Sequence, residues 1–270
     1  MSRKPAKRKV QAKGPGVVLA GPNPGTVDAS FFGSVTALLL HDANHREAVT
    51  KFGGCIWLES SPRIFAARCD IVGRFLEDTG HWEIPPEWLF FIDADMTFEP
   101  TALDEMLEVI EAGGPNGEEI KILGGLCFAG GRGKRAYPTL FTVANPEEFD
   151  PNKPLLLDKH LSYPGLENEE EAGLVKVNAT GGSFLMIHRD VLEAMLEAAP
   201  ENEPYPWFKE YIQAGVPFGE DIFFGLRAGS LGFSTWIHTG IRTGHRKTYT
   251  LDEDHYRKNH DAYVKAMEAP

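Results

Sequence analysis

The sequence predicts an α/β protein built on a mixed, mostly parallel sheet with helices on both faces. Three observations carry that expectation. Strand-like apolar runs alternate with segments of helical periodicity through the first half of the chain, as parallel strands joined by helical crossovers do. One run, Trp88-Leu89-Phe90-Phe91-Ile92, is apolar at every position, as a strand buried on both faces must be. In the second half the strand-like runs lie closer together, which requires some antiparallel pairing.

Local signals place the elements in order. A strand over 16–21 ends at the turn cluster Pro22-Asn23-Pro24-Gly25. Asp28 caps a helix running to about residue 41. Residues 55–59 form a second strand. Ser61 and Pro62 then supply the N-cap and first-turn residue of a helix. Its Ile64, Phe65, Ala67, Ile71, Val72 and Phe75 recur at helical spacing. After Pro85-Pro86 the buried strand covers 87–92 and ends in Asp93-Ala94-Asp95. Pro100 opens a helix with Leu103, Met106, Leu107 and Ile110 on one face. A strand over 119–128 precedes the glycine-rich basic stretch 130–135 and a further strand at 139–143. Residues 144–172 are rich in Pro, Asn and acids without period, which reads as a long surface excursion. Strands at 174–177 and 183–188 flank Thr180-Gly181-Gly182, and a helix follows from Asp190 to about residue 198. Gly219-Glu220-Asp221 heads another helix, and 234–238 is the last strand before Gly244-His245-Arg246-Lys247. The expected organisation is a basic tail at 1–14, one domain over 15–250 and a helical extension at 251–270.

Composition narrows the function classes. The chain has 270 residues, 42% hydrophobic and 24% charged, which suffices for a sizeable core and excludes wholesale disorder. No apolar run approaches the roughly 20 residues of a membrane span, and no h-region of about 7–15 residues follows the basic N-terminus. A cytoplasmic protein with no membrane partner is expected. Cys55, Cys69 and Cys127 are odd in number and form no CxxC pair, so they read as free thiols in a reducing compartment. The net charge is −12, yet residues 1–13 carry six basic residues and no acid, which leaves −18 on the rest. An acidic body argues against broad phosphate-backbone binding and favours a protein or small-molecule partner over duplex nucleic acid. The tail reads as a solvated arm, with docking to an acidic partner as the alternative.

Asp93 and Asp95 carry the strongest chemical signal. Two carboxylates two residues apart, ending a buried strand, lie at the carboxyl edge of the sheet, where open α/β sheets bind ligands. Their repulsion is relieved by a divalent cation, and hard oxygen donors suit magnesium or manganese. The same pair also fits a turn with Asp95 as a local cap.

The segment from Phe90 through Met96, followed by Pro100 and an amphipathic helix, resembles the Asp-x-Asp segment of GT-A fold glycosyltransferases, particularly family-2-like ones. Three further segments resemble that family in order. They are the run from Val177 to Leu192 around Gly181-Gly182, then Gly219-Glu220-Asp221-Ile222-Phe223-Phe224, and then Gly244-His245 after the last strand. The resemblance covers about residues 16–250 and extends to glycosyltransferases encoded by bacteriophages. It implies a GT-A type nucleotide-sugar-binding fold and an inverting transfer of a sugar from a nucleotide-diphosphate donor, with a UDP-sugar expected. The acceptor would be a hydroxyl, as on a virion protein, and the location a host cytoplasm. Asp95 and His245 would ligate Mn2+ or Mg2+, with Asp93 reaching the ion or the ribose. Asp221 would be the general base, supported by Glu220. Arg68 and Arg63 would lie near the nucleotide, and Gly181 and Gly182 would let backbone approach the sugar closely. Arg246 and Lys247, with Arg242, would close over the diphosphate. Trp207 and Phe208 fit either acceptor stacking or the core.

The chain departs from the family at its start, where Gly21-Pro22-Asn23-Pro24-Gly25 replaces a shorter turn and Glu59-Ser60-Ser61 replaces the usual aspartate. Competing readings are a haloacid-dehalogenase-like phosphatase using Asp93 and Asp95, a glycosyltransferase of modified DNA bases, and an inactive binding module. The phosphatase motif belongs on a first strand, whereas two strand–helix units precede it here.

Overall fold

The computed structural model describes residues 16–59, 63–77, 84–130, 136–144 and 156–247. The expected tail at 1–14 and extension at 251–270 lie outside them, as do Ser61 and Pro62 and most of the basic stretch at 130–135. In chain order the elements begin with β1 (Val17–Asn23), α1 (Ala29–Asn44), β2 (Gly54–Glu59), α2 (Ile64–Leu76), β3 (Trp88–Ile92), the two-residue β4 (Met96–Thr97), α3 (Ala102–Ala112) and β5 (Ile122–Leu126). Short strands follow: β6 (Phe128–Ala129), β7 (Tyr137–Pro138), β8 (Phe141–Val143) and β9 (Leu157–Lys159). Then come β10 (Leu174–Val177), β11 (Phe184–His188), α4 (Arg189–Glu197), the hairpin strands β12 (Tyr211–Gln213) and β13 (Val216–Phe218), α5 (Glu220–Ser230), β14 (Thr235–Arg242) and β15 (Gly244–His245).

Seven strands form one sheet in the order β10-β14-β5-β11-β3-β1-β2. β2, β1, β3, β5 and β14 run one way, and β11 and β10 run against them. The carboxyl ends of five parallel strands thus meet at one edge. This is the mixed, mostly parallel sheet with helices on both faces that the sequence implied.

Alternation along the strands builds two cores. Val17 and Leu19 of β1, with Trp88, Phe90 and Ile92 of β3, face α1 and α3. Val18 and Ala20, with Leu89 and Phe91, face α2, α4 and α5. β3 is buried along its whole length because helices cover both sides, which explains its unbroken apolar run. Trp207 and Phe208 belong to the second core: the Trp207 indole donates to the Leu192 carbonyl at 2.8 Å, and Phe208 stacks on Phe224.

Several boundaries differ from the sequence reading. β1 continues through Pro22 and Asn23, which pair with Leu58 and Glu59 of β2. β3 pairs with β1 only as far as Ala20, so one edge of β1 is unpaired beyond that residue and tolerates a proline. α2 begins at Ile64 with Arg63 at its cap, later than Ser61-Pro62 suggested. The expected strand at 139–143 is shorter, β8 alone, which pairs with β9, while β7 precedes it and pairs with β6. The segments flanking Thr180-Gly181-Gly182 are not a hairpin, since β14 and β5 separate β10 from β11. β14 runs to Arg242 because it leaves β10 at His238 and rejoins β5, pairing Arg242 with Leu126 across a register shift. None of the described helices is long and apolar enough to cross a membrane.

Candidate active site

A cleft of about 610 Å3 opens at the carboxyl edge of the parallel strands. Pro22, Pro24, Thr26, Val27 and Asp28 wall one side, Ile64 of α2 stands beside them, and Asp93, Ala94 and Asp95 form the floor. His245, Arg246 and Lys247 complete the lining. Asp28 caps α1 as expected, accepting from the Ser30 amide at 2.8 Å.

His245 is 150 positions from Asp95, and a two-residue pairing joins them. β15 lies antiparallel to β4, with His245 opposite Met96, and the Arg246 amide donates to the Asp95 carbonyl at 2.8 Å. Gly244 permits this approach, since a Cβ there would overlap the Thr97 hydroxyl. His245 Nδ1 lies 3.0 Å from the Phe128 carbonyl, which can only accept, so Nδ1 carries the ring proton. In the neutral ring Nε2 then presents its lone pair, 3.1 Å from Asp95 Oδ2. The Lys247 ammonium touches both groups, 3.2 Å from the same carboxylate oxygen and in contact with Nε2. Burial pushes the Asp95 carboxyl up, but His245 and Lys247 together bring it below its ordinary value. Protonation of Nε2 would let it donate to Asp95, and this raises the His245 pKa.

These residues fit a divalent cation. A carboxylate oxygen and an imidazole nitrogen converge, the backbone fixes the neutral tautomer that leaves Nε2 as a donor of electrons, and a cationic side chain already contacts both. Among the described residues no three His, Cys, Asp or Glu side chains form a metal-holding group. Asp93 does not complete one, because both its oxygens accept from Arg68 Nη2, at 2.9 and 3.2 Å. A two-ligand half-site still suits manganese or magnesium, which complete their shells with phosphate oxygens and water.

The remaining expected residues separate into two groups. Arg246 and Lys247 line the cleft, and Arg246 Nε lies 3.9 Å from Asp28. Arg242 turns away, donating to Glu169 at 2.5 Å and to the Gly165 carbonyl at 3.3 Å, so it does not close over the cleft. Arg63 stands exposed at the start of α2, beside Ile64. Arg68 is fully buried beneath Gly182 rather than in the cleft, and Gly181 packs near Thr139. Glu220 and Asp221 begin α5, with Glu220 Oε1 3.7 Å from Arg68 Nη1. Burial raises the Asp221 carboxyl pKa and Glu220 adds to the rise, while Arg68 opposes it. Asp93 is likewise raised by burial, against the pull of Arg68.

Sequence reasoning missed Lys247 as the partner of Asp95 and Arg68 as a buried hub. The spacing of His245 and Lys247, two apart on an extended segment and so on one side, was the available signal for the first. The proline-rich wall before α1 was noticed only as a departure from the family pattern.

No protein-family model and no curated protein matches the sequence. Solved structures do resemble the fold. A197 from STIV aligns at a TM-score of 0.50 and 14% identity, over 86% of each chain. GalNAc-T7, crystallised with UDP, GalNAc and Mn2+, aligns at 0.48 and 10% identity over 88% of this chain and 44% of its own. A glycosyltransferase involved in glycosylation of the major capsid of PBCV-1 aligns at 0.31 and 12% identity, over 71% of this chain and 72% of its own. At these identities the likeness concerns the fold alone.

Proposed function

We propose that this chain is a metal-dependent, inverting glycosyltransferase that moves a sugar from a nucleoside-diphosphate donor to a hydroxyl acceptor. The observation that carries the reading is the convergence of Asp95, His245 and Lys247 on the cleft at the carboxyl edge of the sheet. Asp95 and His245 would hold Mn2+ or Mg2+, and the bound ion would offset the negative charge that develops on the departing diphosphate. Arg246 and Lys247 line the same wall and supply further positive charge to that group. Pro22, Pro24 and Ile64 offer an apolar wall for the nucleoside end of the donor. Asp221, whose raised pKa brings it nearer the working pH, takes the proton of the acceptor hydroxyl. Glu220 supports it from the same turn.

The donor proposed is a UDP-sugar and the acceptor a protein, such as a virion protein in a host cytoplasm, because the acidic body disfavours duplex nucleic acid. The phosphatase reading needs Asp93 as a nucleophile, whereas its carboxylate is paired with Arg68 through Nη2. Incubating the chain with UDP-sugars and Mn2+ and measuring free UDP tests the reading. Release of UDP that increases with acceptor supports it, and inertness toward every nucleotide sugar contradicts it. Intact-mass analysis of proteins co-expressed with and without the chain identifies the acceptor by the added sugar mass.

A further inference from the structure

Arg68 is among the largest fully buried side chains of the protein, only 2% exposed. Four elements meet at its guanidinium. The residue itself belongs to α2, and its Nη2 donates to both oxygens of Asp93 after β3. Nη1 faces Glu220, the first residue of α5, across 3.7 Å. Gly182, in the loop leading to β11, covers Nη1 so closely that a Cβ there would overlap it. Phe91 and Phe208 flank the group, with ring centroids 5.7 and 5.8 Å from its central carbon. Nε and Nη1 have no hydrogen-bond acceptor.

We propose that Arg68 is a positioning residue, which sets the acceptor-side carboxylates of α5 against the donor-side carboxylate Asp93 through one buried cation. This deepens the proposed function and rests on its assignment of Asp221 as the base. Gly219 caps α5 without a side-chain hydrogen bond and the Asp221 carboxylate accepts from the adjacent Ile222 amide at 2.8 Å, so among the described ion pairs it is the one with Arg68 that ties the Glu220–Asp221 turn to β3. The attraction of Arg68 supplies the constraint. At 3.7 Å the contact with Glu220 is an ion pair short of a hydrogen bond, and Nη1 has a free N–H to complete it if α5 moves slightly inward. A buried cation is strongly destabilising without partners, so Arg68 pulls on whatever carboxylates lie nearest. Direct contact with a nucleotide is excluded by its burial and by Gly182 above it. Asp93, held by Arg68, lines the same cleft as Asp95 and His245.

The test uses the full chain with Arg68→Met, Arg68→Lys, Glu220→Gln, Gly182→Ala and the double variant Arg68→Met/Glu220→Gln. Steady-state donor hydrolysis and transfer give kcat and KM, calorimetry gives UDP–Mn2+ affinity, and hydrogen exchange reports the amides of 221–223. A misplacement of about 1 Å costs on the order of 10²-fold, so kcat in Arg68→Met is expected to fall by that order. KM for the donor and UDP–Mn2+ affinity should stay within about threefold, because the lost interaction acts on the transition state. The double variant should lose no more than Arg68→Met alone, the mark of two residues acting as a unit. Gly182→Ala should lower kcat with all charges intact, and Arg68→Lys, without the fork, should restore little. Amides 221–223 should exchange faster in Arg68→Met and Glu220→Gln. UDP affinity falling in step with kcat would place Arg68 on the nucleotide and overturn the proposal. Unchanged kcat in both Glu220→Gln and Gly182→Ala would overturn it too, and these two variants decide the matter if Arg68→Met does not fold. Wild-type chain that hydrolyses no UDP-sugar defeats the proposed function separately. The positioning role then stands or falls on exchange at 221–223, with unchanged exchange in Glu220→Gln rejecting it.

Discussion

Asp221 shows the tension between stability and chemistry at a single residue. Its carboxyl is raised by burial and by Glu220, against Arg68. A carboxyl whose pKa rises on folding stabilises the fold below its unfolded value and loses that contribution as pH rises through the folded one. At neutral pH the ionised group therefore works against folding. Asp221→Asn is expected to melt no lower than wild type at pH 7, while transfer falls by about 10²–10⁴-fold and donor binding persists. The acid limb of the wild-type rate profile should lie above the ordinary carboxylate range and should be absent from the variant. Calorimetric melting and a pH–rate profile check both; a lower melting temperature with normal turnover would make Asp221 a helix-start residue only. Lys247 offers a second residue-scale prediction. Its ammonium contacts both the Asp95 carboxylate and His245 Nε2, so a divalent ion held by those two atoms would compete with it. Lys247→Met should bind Mn2+ more tightly than wild type in the absence of nucleotide, and Asp95→Ala should bind none. Titration followed by Mn2+ paramagnetic resonance measures this, and equal affinity in Lys247→Met and wild type would contradict it.

At the scale of elements, the legible parts were those whose local pattern and tertiary role agree. β3 was legible because burial on both faces leaves no polar position in it, and α5 because Gly219-Glu220-Asp221 marks a helix start. His245 was placed by its position after the last strand. The two-residue ladder that delivers it to Asp95 was not legible, since β4 and β15 are too short to carry a period. The role of Arg68 was hidden for another reason: its partners come from β3, the loop before β11 and α5, and no local spacing encodes a meeting of four elements. The β15–β4 ladder makes its own prediction. Gly244→Ala places a Cβ against the Thr97 hydroxyl and should weaken Mn2+ binding. Thr97→Ala removes that hydroxyl, so the double variant should recover affinity. Loss of affinity in Gly244→Ala without rescue would mean that the glycine acts through something other than this contact.

The whole molecule gathers its chemistry at one edge. β1, β2, β3, β5 and β14 all point their carboxyl ends there, and the segments that follow β1, β2, β3 and β14 supply the cleft walls. Most of the chain's acidity lies in the body, while residues 1–13 are wholly basic among their charges. Deleting 1–13 should leave turnover of a small acceptor unchanged; a loss confined to macromolecular acceptors and steepening with salt would assign the arm to docking. The central claim is that this edge binds a nucleotide sugar through a divalent ion held by Asp95 and His245. Hydrolysis of a UDP-sugar, read as free UDP, tests it most directly. Release is expected in Mn2+, with abolition by EDTA, recovery when Mn2+ or Mg2+ is restored, and none with Asp95→Ala. Full activity in EDTA, or an Asp95→Ala chain as active as wild type, would contradict it.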